Sequence, residues 1–208
     1  MPKQVDAAIR REEILTAAYW VLAEEGLAGI SFRAVAARLG GSTTLVTHYY
    51  ASRQALVEDL IAFSLDQWKA DIESLETGIH DPEERLRILL EWLLPVGPQG
   101  LREERARLNL LANHAHDSQM QAMLEKWDQH GRSAVRRHLI PLVAKESVDD
   151  AVETLTLTIY GISLATVQSP SAWPRSRQLR ALEIQLRLLG LGGKRRFSLA
   201  QKTARVRK

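Results

Sequence analysis

Residues Ser31 to Leu56 read SFRAVAARLGGSTTLVTHYYASRQAL. The punctuation of this stretch divides it into helix, tight turn, helix and the start of a third helix. Ser31 has the chemistry of an N-cap, because its hydroxyl can accept from the orphan amides of a first helical turn. Val35, Ala36 and Leu39 then share one helical face. Gly40-Gly41 stops that helix, since glycine enters the left-handed backbone conformation of a C-cap at little cost. Ser42 is placed to cap a second helix, expected over Thr43 to Tyr50. There Val46 and Tyr50 point inward, one turn apart, and Thr43, Thr44, Thr47 and His48 point outward. Ser52 caps once more, and the apolar pattern resumes at Leu56. Two short helices on a glycine turn, the second opening with small polar residues, form a helix-turn-helix that can lay its second helix in a DNA major groove.

The residues around this motif extend it. Ile14-Leu-Thr-Ala-Ala18, Glu25-Gly26, Ser31-x-Arg33-x-Val35-Ala36, Leu39-Gly40, Ser42 and His48-Tyr-Tyr-Ala-Ser-Arg-Gln-Ala-Leu56 all lie at their expected spacing. On these residues the stretch Ile14 to Leu60 resembles the DNA-binding domain of the TetR family of transcriptional regulators. That family usually shows a Tyr-x-His-Phe-like run followed by Ser-Lys or Asn-Lys. Here Thr47 stands where the tyrosine is usual, Arg53 where the lysine is usual, and Gly41 where valine or isoleucine is usual. The rest of the chain resembles the family in length and helical layout.

Composition limits the alternatives. The 208 residues are 45% hydrophobic and 25% charged, as in ordinary globular proteins. There is no cysteine, which excludes disulfides and thiolate chemistry and fits a reducing compartment. MPKQVDAAIRREE at the start has no apolar core of signal-peptide length, and no apolar run reaches the ~20 residues that span a bilayer. A cytoplasmic protein without membrane contact is expected. The net charge of +3 divides unevenly. Residues 194–208 hold seven basic residues and no acid, leaving 21 basic against 25 acidic residues elsewhere. Global basicity is therefore poor evidence for DNA binding. The local pattern is better evidence, with Arg33, Arg38 and Arg53 free of nearby acids until Glu58.

Periodicity predicts an all-α chain of about nine helices, TetR-like: a three-helix helix-turn-helix domain and a C-terminal helical bundle. Residues 1–8 read as disordered, and the first helix is expected over Arg10 to Glu25, ended by Gly26. The fourth helix, Arg53 to about Leu75, is apolar on two sides, with Leu56, Leu60 and Phe63 on one and Val57, Ile61, Leu65, Trp68, Ile72 and Leu75 on the other. Asp81-Pro82 starts the next helix, with Leu86, Leu89, Leu90 and Leu93 buried. Pro95 to Gly100 breaks it, and helices follow over Leu101 to His116 and Met120 to Leu139, with a possible kink at Gly131. Ser147 to Asp150 resembles a capping box for a helix reaching Gln168. The final helix is expected over Arg175 to Leu189. The domain division is 1–52 for DNA binding, 53–192 for ligand binding and dimerisation, and 193–208 as a basic disordered tail.

Residue roles follow. At the start of the recognition helix, Ser42, Thr43, Thr44 and Leu45 are expected at or near base edges, with Leu45 or a threonine methyl touching a thymine methyl. Arg33 can reach guanine or a phosphate. Thr47, His48, Tyr49 and Arg53 are assigned to phosphates, and the resemblance implies this for Thr47, Tyr49 and Arg53. Arg38 reads as a solvated helix residue. The resemblance also implies a small-molecule effector in the bundle. Trp92, Asn113, Trp127 and Tyr160 are the candidate ligand residues, suited to an apolar-bodied, weakly polar compound. A homodimer is expected through the last two helices, with Leu157, Gly161, Leu164, Ile184 and Leu188 on the face left over from the core. His114-x-His116 places two imidazoles on different helix faces, and His130 and His138 lie two turns apart, so neither pair makes a metal site. No catalytic or cofactor motif is present, and an enzyme is not expected. The implied function is a ligand-responsive repressor on a palindromic double-stranded operator. The alternative is a helical protein-interaction module on the same scaffold with weak or no specific DNA binding.

Overall fold

The computed structural model describes residues 2–113 and 118–192. Among these, every regular element is helical: α1 (Pro2–Gly29), α2 (Phe32–Arg38), α3 (Thr43–Thr47), α4 (Arg53–Glu76), α5 (Pro82–Leu93), α6 (Gly97–Asn113), α7 (Ser118–Leu139), a 3₁₀ turn (Lys145–Ser147), α8 (Val148–Gln168) and α9 (Arg175–Leu188). The all-α reading holds. The proposed tail, 193–208, lies outside the described residues, as do His114 and His116.

The chain forms two compact units. One holds the described parts of Met1–Trp68 and Arg105–Glu125, the other those of Lys69–Glu104 and Lys126–Lys208. In the first, α1 packs on α2 and α2 on α3. Its buried side chains are the ones the periodicity selects: Ile14, Ala18, Val21 and Leu22 on α1, Val35 and Ala36 on α2, Val46 on α3, and Leu56, Val57, Leu60 and Ile61 on α4. Burial of both stripes at the start of α4 follows from its two apolar sides. The helix begins at Pro2 rather than Arg10, so residues 2–8 are helical where disorder was expected. Proline suits a first helical turn, and Ala7 to Arg10 remain exposed, so local propensity sustains this segment. Gly26 breaks α1 with φ 72°, a conformation that side chains with a Cβ avoid.

In the second unit a core of Leu86, Leu89 and Leu90 on α5, Val135 and Leu139 on α7, Val152, Leu155, Ile159 and Ile162 on α8 and Leu179, Leu182 and Leu186 on α9 is closed to water. Asp81 caps α5, its Oδ1 accepting from Glu83 N at 3.0 Å. Ser147 does not cap α8. Its backbone arrives in a helical conformation (φ −98°, ψ −4°) from the 3₁₀ turn, so the hydroxyl does not meet the first amides. Helix α7 runs through Gly131 without interruption. Polar clasps join these helices. Arg87, 4% exposed, pairs with Glu183 of α9 and Glu83 and donates to the Leu191 carbonyl at 3.3 Å. Glu76 of α4 accepts from Arg85 and from His138 Nε2, the latter at 2.6 Å.

Candidate nucleic-acid interface

Local chemistry builds the helix-turn-helix. Ser31 Oγ accepts from Ala34 N at 3.1 Å and sets the start of α2. At its end, Gly41 N donates to Ala36 O at 3.0 Å and Gly40 N to Ala37 O at 3.1 Å. These are the two bonds of a Schellman motif, with Gly40 at φ +66° in the left-handed position. Gly41 has a second consequence. A Cβ there would stand 3.2 Å from Leu45 Cδ2, so the bare backbone lets Leu45 lean back over the turn.

Helix α3 is one turn shorter than expected. Tyr49 N donates to Val46 O at 3.0 Å, an i→i+3 bond that tightens and closes the helix after Thr47. Ser42 occupies the N-cap position, but its hydroxyl makes no capping bond, which corrects that reading. Ser52 does cap α4, its Oγ accepting from Ala55 N at 3.1 Å.

The side chains then divide. Val46 is fully buried and anchors α3. Ser42, Thr43, Thr44, Thr47 and His48 are exposed on one continuous surface; Leu45 and Tyr49 are half-buried. His48 and Tyr49 stack edge to face with ring centroids 5.1 Å apart. Thr47 Oγ1 bonds back to Thr44 O at 3.3 Å. Arg33 is exposed on α2.

Two arginines behave differently from the sequence expectation. Arg53 Nε donates to the Ile30 carbonyl at 2.8 Å, so this side chain is partly engaged inside the protein. Arg38 is not remote from acids: it grips Glu24 through two bonds of 2.6 and 3.1 Å and lies over the Trp20 ring. That bond holds the Glu24 carboxyl below the usual range. Both partners lie many residues away in sequence, so local charge spacing gives no sign of them.

The sequence turns Tyr50 inward, as found, but gives no sign of its polar partners Arg11 and Asp59. The Tyr50 ring is 2% exposed, and its hydroxyl donates to Asp59 Oδ2 at 3.0 Å. Arg11 donates to the same oxygen through Nε at 2.8 Å, and its guanidinium carbon stands 5.2 Å from the Tyr50 ring centroid. Burial, above all, pushes the Tyr50 hydroxyl up to about 12.

The other candidates fall in the second unit, except Asn113, whose side chain lies outside the described ones. Trp92 is half-buried against the apolar core, and Trp127 is half-buried on α7. Tyr160 is 37% exposed on α8, with its hydroxyl donating to Asp128 of α7. It thus shares the outer face of α8 with Leu157 and Leu164 instead of lining the interior. Leu157, Leu164, Ile184 and Leu188 are exposed by 57, 47, 43 and 75%, and Gly161 is exposed between them. Leu191, just past α9, is buried. Among the described residues, no group of three His, Asp or Glu is arranged to hold a metal ion.

A five-residue helix with one buried anchor and an outward row of hydroxyls gains nothing for the core from that row. The fold is that of helix-turn-helix transcription regulators. Residues 14–60 match the model of bacterial regulatory proteins of the tetR family, and residues 82–190 match the BetI-type transcriptional repressor C-terminal family. The chain therefore belongs to the TetR family of transcriptional regulators, with a C-terminal region of the BetI type. It is a DNA-binding transcription regulator by family.

Individual relatives agree. The HTH-type transcriptional regulator PksA of Bacillus subtilis is 32% identical over 123 residues, 58% of each chain. BetI of Paraburkholderia phytofirmans is 32% identical over 91 residues, 43% of this chain and 47% of that protein. The chain thus spans about half the length of the curated relatives it matches. Among solved structures, a transcriptional regulator from Rhodococcus sp. Rha1 has TM-score 0.70 and 25% identity, covering 88% of this chain and 96% of that one. A regulator from Saccharomonospora viridis solved in complex with choline has TM-score 0.67 and 17% identity, covering 86 and 96%. No described helix is long and apolar enough to cross a membrane.

Proposed function

We propose that the protein is a repressor that binds a palindromic operator as a homodimer in the cytoplasm and leaves it when a small molecule enters the C-terminal bundle. The observation that carries the DNA half is the exposed row Ser42, Thr43, Thr44, Thr47 and His48 on a helix pinned from behind by Val46. Thr43, Thr44 and Leu45 read base edges, and a threonine or leucine methyl suits a thymine methyl. Arg33, Thr47, His48, Tyr49 and Arg53 hold phosphates.

Dimerisation is supported by the outer faces of α8 and α9. Leu157, Tyr160, Leu164, Ile184 and Leu188 form exposed apolar surface that a soluble chain rarely leaves uncovered. A twofold pairing would cover each of them twice and set two recognition helices for two half-sites. Ligand response is supported by Trp92 and Trp127, half-buried in the second unit, with Asn113 as a polar candidate beside them in the sequence reading. Such a response requires the ligand to prefer one of two conformations.

The test is selection of bound sequences from a random duplex pool, then competition on the recovered site. Choline and triclosan, the ligands in solved complexes of structurally similar regulators, are first probes for release. An enriched inverted repeat supports the reading. Weak, salt-sensitive binding without enrichment overturns it.

A further inference from the structure

The helix-turn-helix is fastened at both ends by polar bonds. At its start, Arg53 of α4 donates through Nε to the carbonyl of Ile30, which precedes the Ser31 cap. At its far end, Tyr50 is tied to the recognition helix through its backbone, donating to Val46 O at 3.0 Å. The Tyr50 ring and hydroxyl are tied to the scaffold: the hydroxyl to Asp59 of α4 at 3.0 Å, and that same oxygen to Arg11 of α1 at 2.8 Å. The Arg11 guanidinium also lies over the ring, 5.2 Å from its centroid. One carboxylate oxygen thus joins α1, α4 and Tyr50, which follows the reading helix.

Core packing alone does not require this network. A buried phenylalanine would fill the ring's place, and a tyrosine hydroxyl this deeply buried costs stability unless a partner receives its proton. Asp59 supplies that partner, and Arg11, donating to the same carboxylate oxygen, helps fix where the ring can sit. Val46 then anchors α3 against the core, and Tyr50 sets its rotation and tilt. We propose that Tyr50, Asp59 and Arg11 are positioning residues that set the angle of the recognition helix, so that operator discrimination depends on them. This rests on the DNA-reading role proposed for α3. Non-specific binding, which depends on backbone charge and tolerates changes of helix angle, is largely independent of the clamp.

The experiment compares the full-length protein with Tyr50→Phe and Arg11→Gln. Dissociation constants are measured at one salt concentration for the selected inverted repeat and for a random duplex of equal length. Tyr50→Phe keeps the buried ring and leaves Asp59 paired with Arg11. Arg11 is half exposed, so its replacement leaves the fold intact. If the unclamped helix visits the reading angle about one-tenth of the time, operator affinity falls about tenfold, because apparent affinity scales with the competent fraction. Random-duplex affinity should stay within about twofold, and Arg11→Lys, which restores a donor, should recover part of the loss. Operator affinity unchanged in both variants would overturn the proposal. So would an equal loss on both duplexes, which for Arg11→Gln with a shallower salt slope would mean a phosphate contact. If the wild-type protein itself shows no preference for any duplex, the DNA-reading role fails first, and the clamp with it.

Discussion

Replacing Leu188 with glutamate tests the dimer face at the place where it is most open. Leu188 leaves 75% of its surface in water. Within one subunit the substitution should therefore change stability by no more than about 0.5 kcal/mol, as other surface changes do. In a twofold dimer the same residue is covered twice. Full burial of a leucine contributes roughly 1.5–3 kcal/mol, so covering three-quarters of two copies contributes about 2–4 kcal/mol. The two carboxylates would also lose water without gaining partners, so the total loss should reach about 4 kcal/mol or more. That weakens dimerisation by about 10³-fold. Sedimentation equilibrium across a concentration series, with melting temperature measured alongside, separates the two effects. The expected result is a shift to monomer with the subunit melting transition retained. An unchanged association constant would refute the face formed by Leu157, Tyr160, Leu164, Ile184 and Leu188. A collapse of the melting temperature in a variant that stays dimeric would place Leu188 in the core.

Other substitutions reach different parts of the molecule. Arg87→Ala strands Glu183 in a poorly solvated site and should cost about 3–5 kcal/mol in denaturant unfolding, whereas Arg87→Met combined with Glu183→Leu should recover most of it. Gly40→Ala forces a Cβ into φ +66° and should cost about 1 kcal/mol without changing which sequences are bound, readable from chemical denaturation and repeated selection. The Tyr50 hydroxyl is raised from 10.0 to about 12 in the folded protein. Its contribution to stability is complete below the unfolded value and is lost as pH rises from about 10 towards 12. The difference in unfolding midpoint between pH 9 and pH 11.5 should therefore shrink in Tyr50→Phe. Thr44→Ala should weaken the selected operator by about 1–3 kcal/mol if a base contact is lost, with random duplex unaffected, in a gel-shift titration.

What could be read from the chain was what neighbours in sequence decide. Ser31, Ser52 and Asp81 cap their helices because the hydroxyl or carboxylate and the amides it meets are two or three residues apart. Gly40 closes α2 for the same reason. The outer faces of α8 and α9 were legible because helical periodicity separates Leu157, Leu164, Ile184 and Leu188 from the core residues beside them. Ser42 and Ser147 look identical to the successful caps in sequence. Ser147 differs in the backbone that delivers it, a 3₁₀ turn before Val148, whereas Ser42 has the extended backbone of a cap and still makes no capping bond. The partners of three arginines were not legible because they are distant in sequence. Arg38 finds Glu24, Arg53 finds the Ile30 carbonyl, and Arg11 finds Asp59, which lies 48 residues further along the chain. The Asp128 partner of the Tyr160 hydroxyl, 32 residues away on α7, was likewise not legible.

The most direct test is the selection experiment carried out in parallel on the wild type and on a variant with Thr43 and Thr44 both replaced by valine. Valine keeps the shape and the methyl groups while removing the hydroxyls. The wild type should enrich an inverted repeat roughly 10³-fold or more above random duplex. The variant should enrich a repeat of the same spacing with changed bases at the positions those hydroxyls read. An identical enriched sequence from both proteins, or no enrichment from the wild type, would contradict the assignment of α3 as the reading helix.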